Sequence, residues 1–129
     1  MEKFVVPLNL LYTKTHEWVK LTEEGLALIG ITDYAQKTLH EIIYVELPEV
    51  NGEVEAGEAF MTVESVKAVS EVYAPISGRI VDTNRELISS PEKVNESPYE
   101  RGWLVKIKPF NWDNESKNLL TPEQYKDND

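Results

Sequence analysis

Hydrophobic and polar positions alternate along this chain in short stretches, broken at close intervals by proline and glycine. The first pair of stretches, Glu17–Leu21 and residues 26–31, flanks Thr22-Glu23-Glu24-Gly25 and predicts a hairpin whose turn ends in glycine. Thr32 and Asp33 then offer capping side chains to residues 34–39, a segment long enough for about two helical turns. Residues 41–47 alternate loosely and stop at Pro48-Glu49-Val50-Asn51-Gly52. Residues 59–63 and Val69–Tyr73 predict a second strand pair, ended by Pro75, and residues 79–84 continue as a strand after Pro75-Ile76-Ser77-Gly78. Ser90 before Pro91 predicts a capped helix start and a short helix over 91–95, and residues 103–107 predict one more strand. Thr121-Pro122-Glu123-Gln124 reads as a capping box in front of a short terminal helix.

So many short strands, separated by turn residues, predict a mainly β fold, an antiparallel sandwich or flattened barrel and not a βαβ arrangement. At 129 residues the expectation is a single domain over residues 1–129 with one core. The chain also repeats itself faintly. Val45-Glu46-Leu47-Pro48 with Gly52 echoes Val72-Tyr73-Ala74-Pro75 with Gly78, as two similar half-sheets about a pseudo-two-fold would require.

Charge and composition narrow the partners. The formal net charge is −10, and an acidic surface repels phosphate backbones, so nucleic acid is not an expected partner. No segment reaches the length of a membrane span. The start, Met1-Glu2-Lys3-Phe4-Val5-Val6-Pro7-Leu8, has its apolar stretch broken by Pro7 and no small-residue cleavage pattern, so a cytoplasmic location is expected. There is no cysteine, so disulfides, thiolate nucleophiles and cysteine-ligated metals are all excluded, and any redox chemistry has to come from an added group. His16 and His40 have no metal-ligand spacing, and no nucleophile-elbow, phosphate-loop or dinucleotide glycine motif is present. Catalysis by the chain itself is not expected.

One primary amine stands out. Lys67, in Glu64-Ser65-Val66-Lys67-Ala68, falls at the tip of the second predicted hairpin, with Gly57 and Gly78 almost equally far to either side. Val66 disfavours the positive φ of a tight primed turn, and no Asn-Gly or Asp-Gly is there, so tertiary packing or a side chain such as Glu64 or Ser65 has to hold the turn. Of the tryptophans, Trp103 heads an alternating stretch and is expected in the core, while Trp112 lies among polar residues without an assigned place.

E-S-V-K-A-V-S-E-V-Y-A-P-I-S-G at 64–78 resembles the lipoyl attachment segment of the glycine cleavage system H-proteins. Supporting matches are Y-T-K-T-H-E-W-V at 12–19, G-I-T-D-Y-A-Q at 30–36, I-Y-V-E-L-P-E-V at 43–50, V-N-E-S-P-Y at 94–99 and G-W-L-V-K-I-K-P at 102–109. The resemblance spans about 12–109 and leaves 110–129 as a C-terminal helical extension. It implies the barrel-sandwich hybrid of lipoyl and biotinyl domains, with lipoic acid in amide linkage on Lys67 and with Glu64, Ser65, Val66 and Ala68 recognised around it. Biotin carriers place methionines beside the lysine, where this chain has Val66 and Ala68. The resemblance further implies a shuttle that takes the aminomethyl group of glycine from the pyridoxal-phosphate P-protein to the folate-dependent T-protein, with the dithiol reoxidised by the flavin L-protein. A lipoate ligase, or an octanoyltransferase with lipoyl synthase, would load it. H-like carriers in lipoate assembly or relay, or in sulfur-oxidising heterodisulfide-reductase-like systems, are the alternative. A surface groove with Glu17, His16 and Glu71 is expected to shelter the loaded arm. Leu39-His40-Glu41 stands where the family pattern reads L-G-[DE], and a histidine there makes a positive φ harder to adopt.

Overall fold

A computed structural model describes residues 3–127, so the first two residues of the predicted start and the last two of the C-terminal extension lie outside it. Among the described residues nine strands and five short α-helices follow one another, with one 3-10 turn (Ser116–Asn118) between the last two helices: β1 (Leu11–Tyr12), β2 (Glu17–Leu21), β3 (Ala27–Ile31), α1 (Asp33–Leu39), β4 (Ile42–Glu46), β5 (Glu53–Val54), β6 (Ala59–Ser65) and β7 (Val69–Tyr73), then β8 (Gly78–Thr83), α2 (Glu86–Ser89), α3 (Lys93–Glu96), β9 (Val105–Pro109), α4 (Trp112–Glu115) and α5 (Pro122–Asp127). They form two antiparallel sheets. One has six strands in the order β1-β2-β3-β9-β8-β5, the other three in the order β4-β6-β7. No ladder joins the two sheets among the described residues, so the molecule is the expected barrel-sandwich hybrid and not a closed barrel.

The echo in the sequence has a structural meaning. Val45 in β4 and Val72 in β7 are both buried and sit on the two edge strands flanking β6. After each, the chain passes a proline and crosses into the larger sheet, where β5 and β8 pair as Glu53↔Arg79 and Val54↔Gly78. Gly78 is required at that crossing, because a Cβ there would lie 2.3 Å from the Lys108 carbonyl oxygen.

Between the sheets the inward residues of each strand, among them Ile29, Val63, Ile80 and Ile107, form the main core. Each such side chain contributes roughly 1.5–3 kcal/mol of burial. A second, aromatic cluster of Leu10, Tyr12, Trp18 and Tyr125 sits at one end. Trp18 is fully buried opposite Gly30, whose missing side chain makes room for the indole, and its N–H donates to the Pro98 carbonyl at 2.9 Å. Tyr125 brings α5 into this cluster by stacking on Tyr12 at 4.7 Å. The predicted capping box is formed in front of α5: the Thr121 N–H donates to Gln124 Oε1 at 2.9 Å and the Gln124 N–H to Thr121 Oγ1 at 3.2 Å.

Three expectations need correction. Ser90 closes α2, its N–H donating to the Glu86 carbonyl at 2.9 Å, and α3 begins at Lys93 without a side-chain cap, so the helix predicted over 91–95 runs over Lys93–Glu96 and is preceded by a short helix, α2, that was not expected. The strand predicted at 103–107 runs from Val105 to Pro109. Pro109 is tolerated because it extends past the end of β3, whose last partner is Ile107, so its missing N–H breaks no bond to that strand. Trp103 precedes the strand and is half-buried, packed on the aromatic cluster and not in the main core. Trp112 finds its place at the head of α4, half-buried against the main core.

Candidate functional site

The hairpin of β6 and β7 pairs as Val63↔Ser70 and Glu64↔Val69, leaving Ser65 to Ala68 as its tip. Ser65 builds that tip. It is buried, its N–H donates to the Ala68 carbonyl at 2.8 Å, and its hydroxyl oxygen accepts the N–H groups of Lys67 and Ala68, each at 3.1 Å. Its hydroxyl also donates to the Ala68 carbonyl at 3.2 Å. Such a side-chain closure substitutes for the glycine that a tight turn otherwise needs. Among the described residues only His16, His40 and Asn51 are non-glycine residues with positive φ, so Val66 keeps an unstrained backbone. Of the two side chains expected to shape the turn, Ser65 supplies these bonds, while Glu64 stands half-buried beside it, opposite Val69.

The tip is also tied to the segment between α1 and β4. The Val66 N–H donates to the Glu41 carbonyl at 3.0 Å, and Lys67 Nζ donates to the Thr38 carbonyl at 3.2 Å. Val66, Lys67 and Ala68 are all exposed. The amine therefore reaches solvent on a turn whose backbone is fixed from within by a hydroxyl and from the side by a carbonyl.

The expected arm-sheltering residues are not brought together at one point. Glu17 is 1 % exposed; its carboxylate accepts the hydroxyls of Thr13 and Thr15 and, at 3.1 Å, the N–H of Tyr73. Burial raises its pKa above the usual glutamate value, and these donors only partly offset the effect. Glu17 and Tyr73 line a cavity of about 280 Å³ together with Thr13, Thr15, Pro75 and Leu119. Glu71 is exposed and is not part of that wall; its Oε1 lies 3.5 Å from the phenol oxygen of Tyr73. His16 faces elsewhere, stacked on Tyr34 at 4.5 Å with Nδ1 2.7 Å from the Tyr125 hydroxyl. His40 has φ 67° and ψ −152°, so it takes the positive-φ conformation that glycine adopts most readily.

A barrel-sandwich hybrid with one exposed lysine at the tip of a clamped hairpin has the architecture of a carrier domain. Comparison with known proteins gives the kind of carrier. Residues 10–128 match the sequence model of the glycine cleavage H-proteins. A probable glycine cleavage system H protein of Pyrococcus abyssi is 56% identical over 123 residues, covering 95% of this chain and 91% of that one. A glycine cleavage system H protein of Staphylococcus epidermidis is 55% identical over 120 residues, 93% of this chain and 94% of that one. The crystal structure of a glycine cleavage system H protein from Mycobacterium marinum superposes with a TM-score of 0.84 at 37% identity, over 93% of this chain and 95% of that one. The chain belongs to the glycine cleavage H-protein family, the lipoyl-carrying shuttles of the glycine cleavage system.

Three groups at the site had no signal in the sequence: the carbonyls of Thr38 and Glu41 and the side chain of Asn95, which accepts the Ile42 N–H. Backbone acceptors leave no mark in composition, and Asn95 lies in a motif, V-N-E-S-P-Y, whose role local spacing does not reveal.

Proposed function

We propose that this chain works as such a shuttle with Lys67 as the attachment point for lipoic acid. The observation that carries the reading is the exposed Lys67 amine on a turn shaped by Ser65. The residues present fit the group: the lysine projects from a fixed backbone, its neighbours Val66 and Ala68 are exposed, and its Nζ contact is one carbonyl, which an amide N–H can also satisfy. The bound group supplies a disulfide capable of exchange and redox cycling, chemistry that a chain without cysteine lacks.

The chain's own part is presentation. Ser65 and the Glu41 carbonyl hold the turn open for a modifying enzyme, either a lipoate ligase or an octanoyltransferase followed by lipoyl synthase. Tethering raises the local concentration of the loaded lysine at each partner, so brief complexes with the P-, T- and L-proteins suffice. We infer that the chain acts as a single, non-catalytic, cytoplasmic carrier unit. The cavity with Glu17 on its wall and Tyr73 beside Glu71 is the sheltering groove in this reading. His16, turned toward Tyr34 and Tyr125, stands in it only as a brace for the neighbouring backbone.

Intact-mass measurement of protein made in a lipoylation-competent host is expected to show one lipoyl increment, absent from Lys67→Ala. An increment that persists in the variant overturns the assignment. Reconstitution with glycine, P-protein and labelled bicarbonate is expected to support carbon exchange. A loaded chain that is reoxidised but supports no exchange belongs instead to a carrier role outside glycine breakdown.

A further inference from the structure

Asn95 lies in α3, twenty-eight residues beyond Lys67 in the sequence, yet its half-buried side chain bonds to α1 and to the segment after it that flanks the lysine turn. Its Oδ1 accepts the Ile42 N–H at 2.9 Å, and its Nδ2 donates to the His40 carbonyl and to Gln36 Oε1, both at 2.9 Å. Gln36 is buried and its Nε2 donates in turn to Asp33 Oδ1 at 2.8 Å, so the contact is anchored at the start of α1 as well as at its end.

These bonds bear on Lys67 through one competition. In a continued helix the Ile42 N–H would seek the carbonyl four residues back, which is that of Thr38. Asn95 takes that N–H instead, and the Thr38 carbonyl accepts Lys67 Nζ. The same grip fixes Glu41, whose carbonyl accepts the Val66 N–H, and the first rung of the ladder, Ile42↔Ser65. We propose that Asn95 is a positioning residue for the loading of Lys67: it ends α1 at His40 so that two backbone carbonyls face the lysine turn. Asn95 touches neither the lysine nor an incoming acyl group. It acts through the segment from Thr38 to Ile42.

This proposal rests on Lys67 being the attachment point, and its test separates the two. In the isotope-labelled full chain, amide exchange at Val66 is compared with exchange at Val105, which lies in β9 outside the lysine turn. Asn95→Ala removes all three bonds. Asn95→Asp keeps the size and the acceptor for Ile42 but turns a carboxylate toward the oxygens of His40 and Gln36, so it guards against loss of packing in the alanine variant. Both variants are expected to speed Val66 exchange about tenfold beyond any change at Val105. With a lipoate ligase, lipoate and ATP, both are expected to raise KM for the carrier while kcat stays close to that of the unsubstituted chain. Equal acceleration at Val66 and Val105, or none at either, overturns the proposal and leaves Asn95 a general stabiliser. Lys67→Arg is run alongside; if it is still loaded, the attachment reading fails, and the exchange data judge Asn95 independently.

Discussion

The two long hairpins solve the same problem in different ways. In β2–β3 the chain turns through Thr22 to Leu26 with Gly25 at φ 81°; the Thr22 hydroxyl accepts one N–H, that of Leu26 at 3.2 Å, and nothing lies within 4 Å of where a Gly25 side chain would be. In β6–β7 the turn is one residue shorter and has no glycine. Its Ser65 hydroxyl accepts two N–H groups, and a third donor, the Val66 N–H, is held by a neighbouring segment. A connecting turn is shaped by the conformational freedom of its own residues. The lysine turn is shaped instead by one buried hydroxyl of its own and by a carbonyl of a neighbouring segment, so its backbone is fixed without glycine.

Replacing the hydroxyl in each turn gives the widest separation. Ser65→Ala strips the acceptor from two donors beside a buried position and is expected to cost about 2 kcal/mol. Thr22→Ala removes one bond at a solvated loop and is expected to cost about 0.5 kcal/mol. Urea denaturation midpoints of the two variants check the ranking, and loading of Lys67 is expected to slow only in the first. Equal costs would mean that the two turns are held alike.

The sign of a glycine exchange sharpens the contrast further. Gly25→Ala forces a Cβ into a positive φ and is expected to destabilise by about 1 kcal/mol. His40→Gly is the reverse experiment. His40 is exposed and pays for φ 67° with a Cβ, so glycine is expected to stabilise by about 1 kcal/mol with the Lys67 Nζ contact and the loading rate unchanged. Thermal melts of both variants give the signs. A destabilised His40→Gly would show that the imidazole contributes packing beyond its backbone.

The legible and illegible parts of the molecule divide along the same line. Val69–Tyr73 and Glu17–Leu21 follow from short β-favouring runs bounded by turn residues, and the box at Thr121 and Gln124 from spacing alone, because each depends on residues near in sequence. The two-residue strands β1 and β5 carry no period to read. α2 begins at Glu86 after Arg85, whose side chain makes no capping bond, so Ser90-Pro91 is the visible capping signal in that stretch. Lys67 and Ser65 could be chosen from the sequence, but the carbonyls of Thr38 and Glu41, which hold Lys67 and Val66, could not. Those acceptors come from α1 and the chain after it, which are close to the lysine only after folding.

The smallest expected effect concerns the one carboxylate that joins the two hairpins. Glu17 opens β2, and its Oε2 accepts the N–H of Tyr73, which closes β7. Burial raises its pKa in the folded chain above that of the unfolded one. A group with a raised folded pKa contributes its stability in full below the unfolded value, and that contribution is lost as pH rises through the folded one. Asp33 runs the other way. Burial pushes its pKa up, but the Val5 N–H, Gln36 and Lys37 outweigh burial and hold it below the usual aspartate value. Its contribution is present above the unfolded value and is lost as pH falls through the folded one. Denaturant midpoints taken from acid to neutral pH are therefore expected to show two opposed slopes. Asp33→Asn abolishes the loss at the acid end, and Glu17→Gln abolishes the decline above the ordinary glutamate range. If Glu17→Gln leaves that decline in place, the carboxylate is charged without cost in the folded chain, and the hairpins are joined by an ordinary carboxylate-to-N–H hydrogen bond instead of a proton-sensitive one.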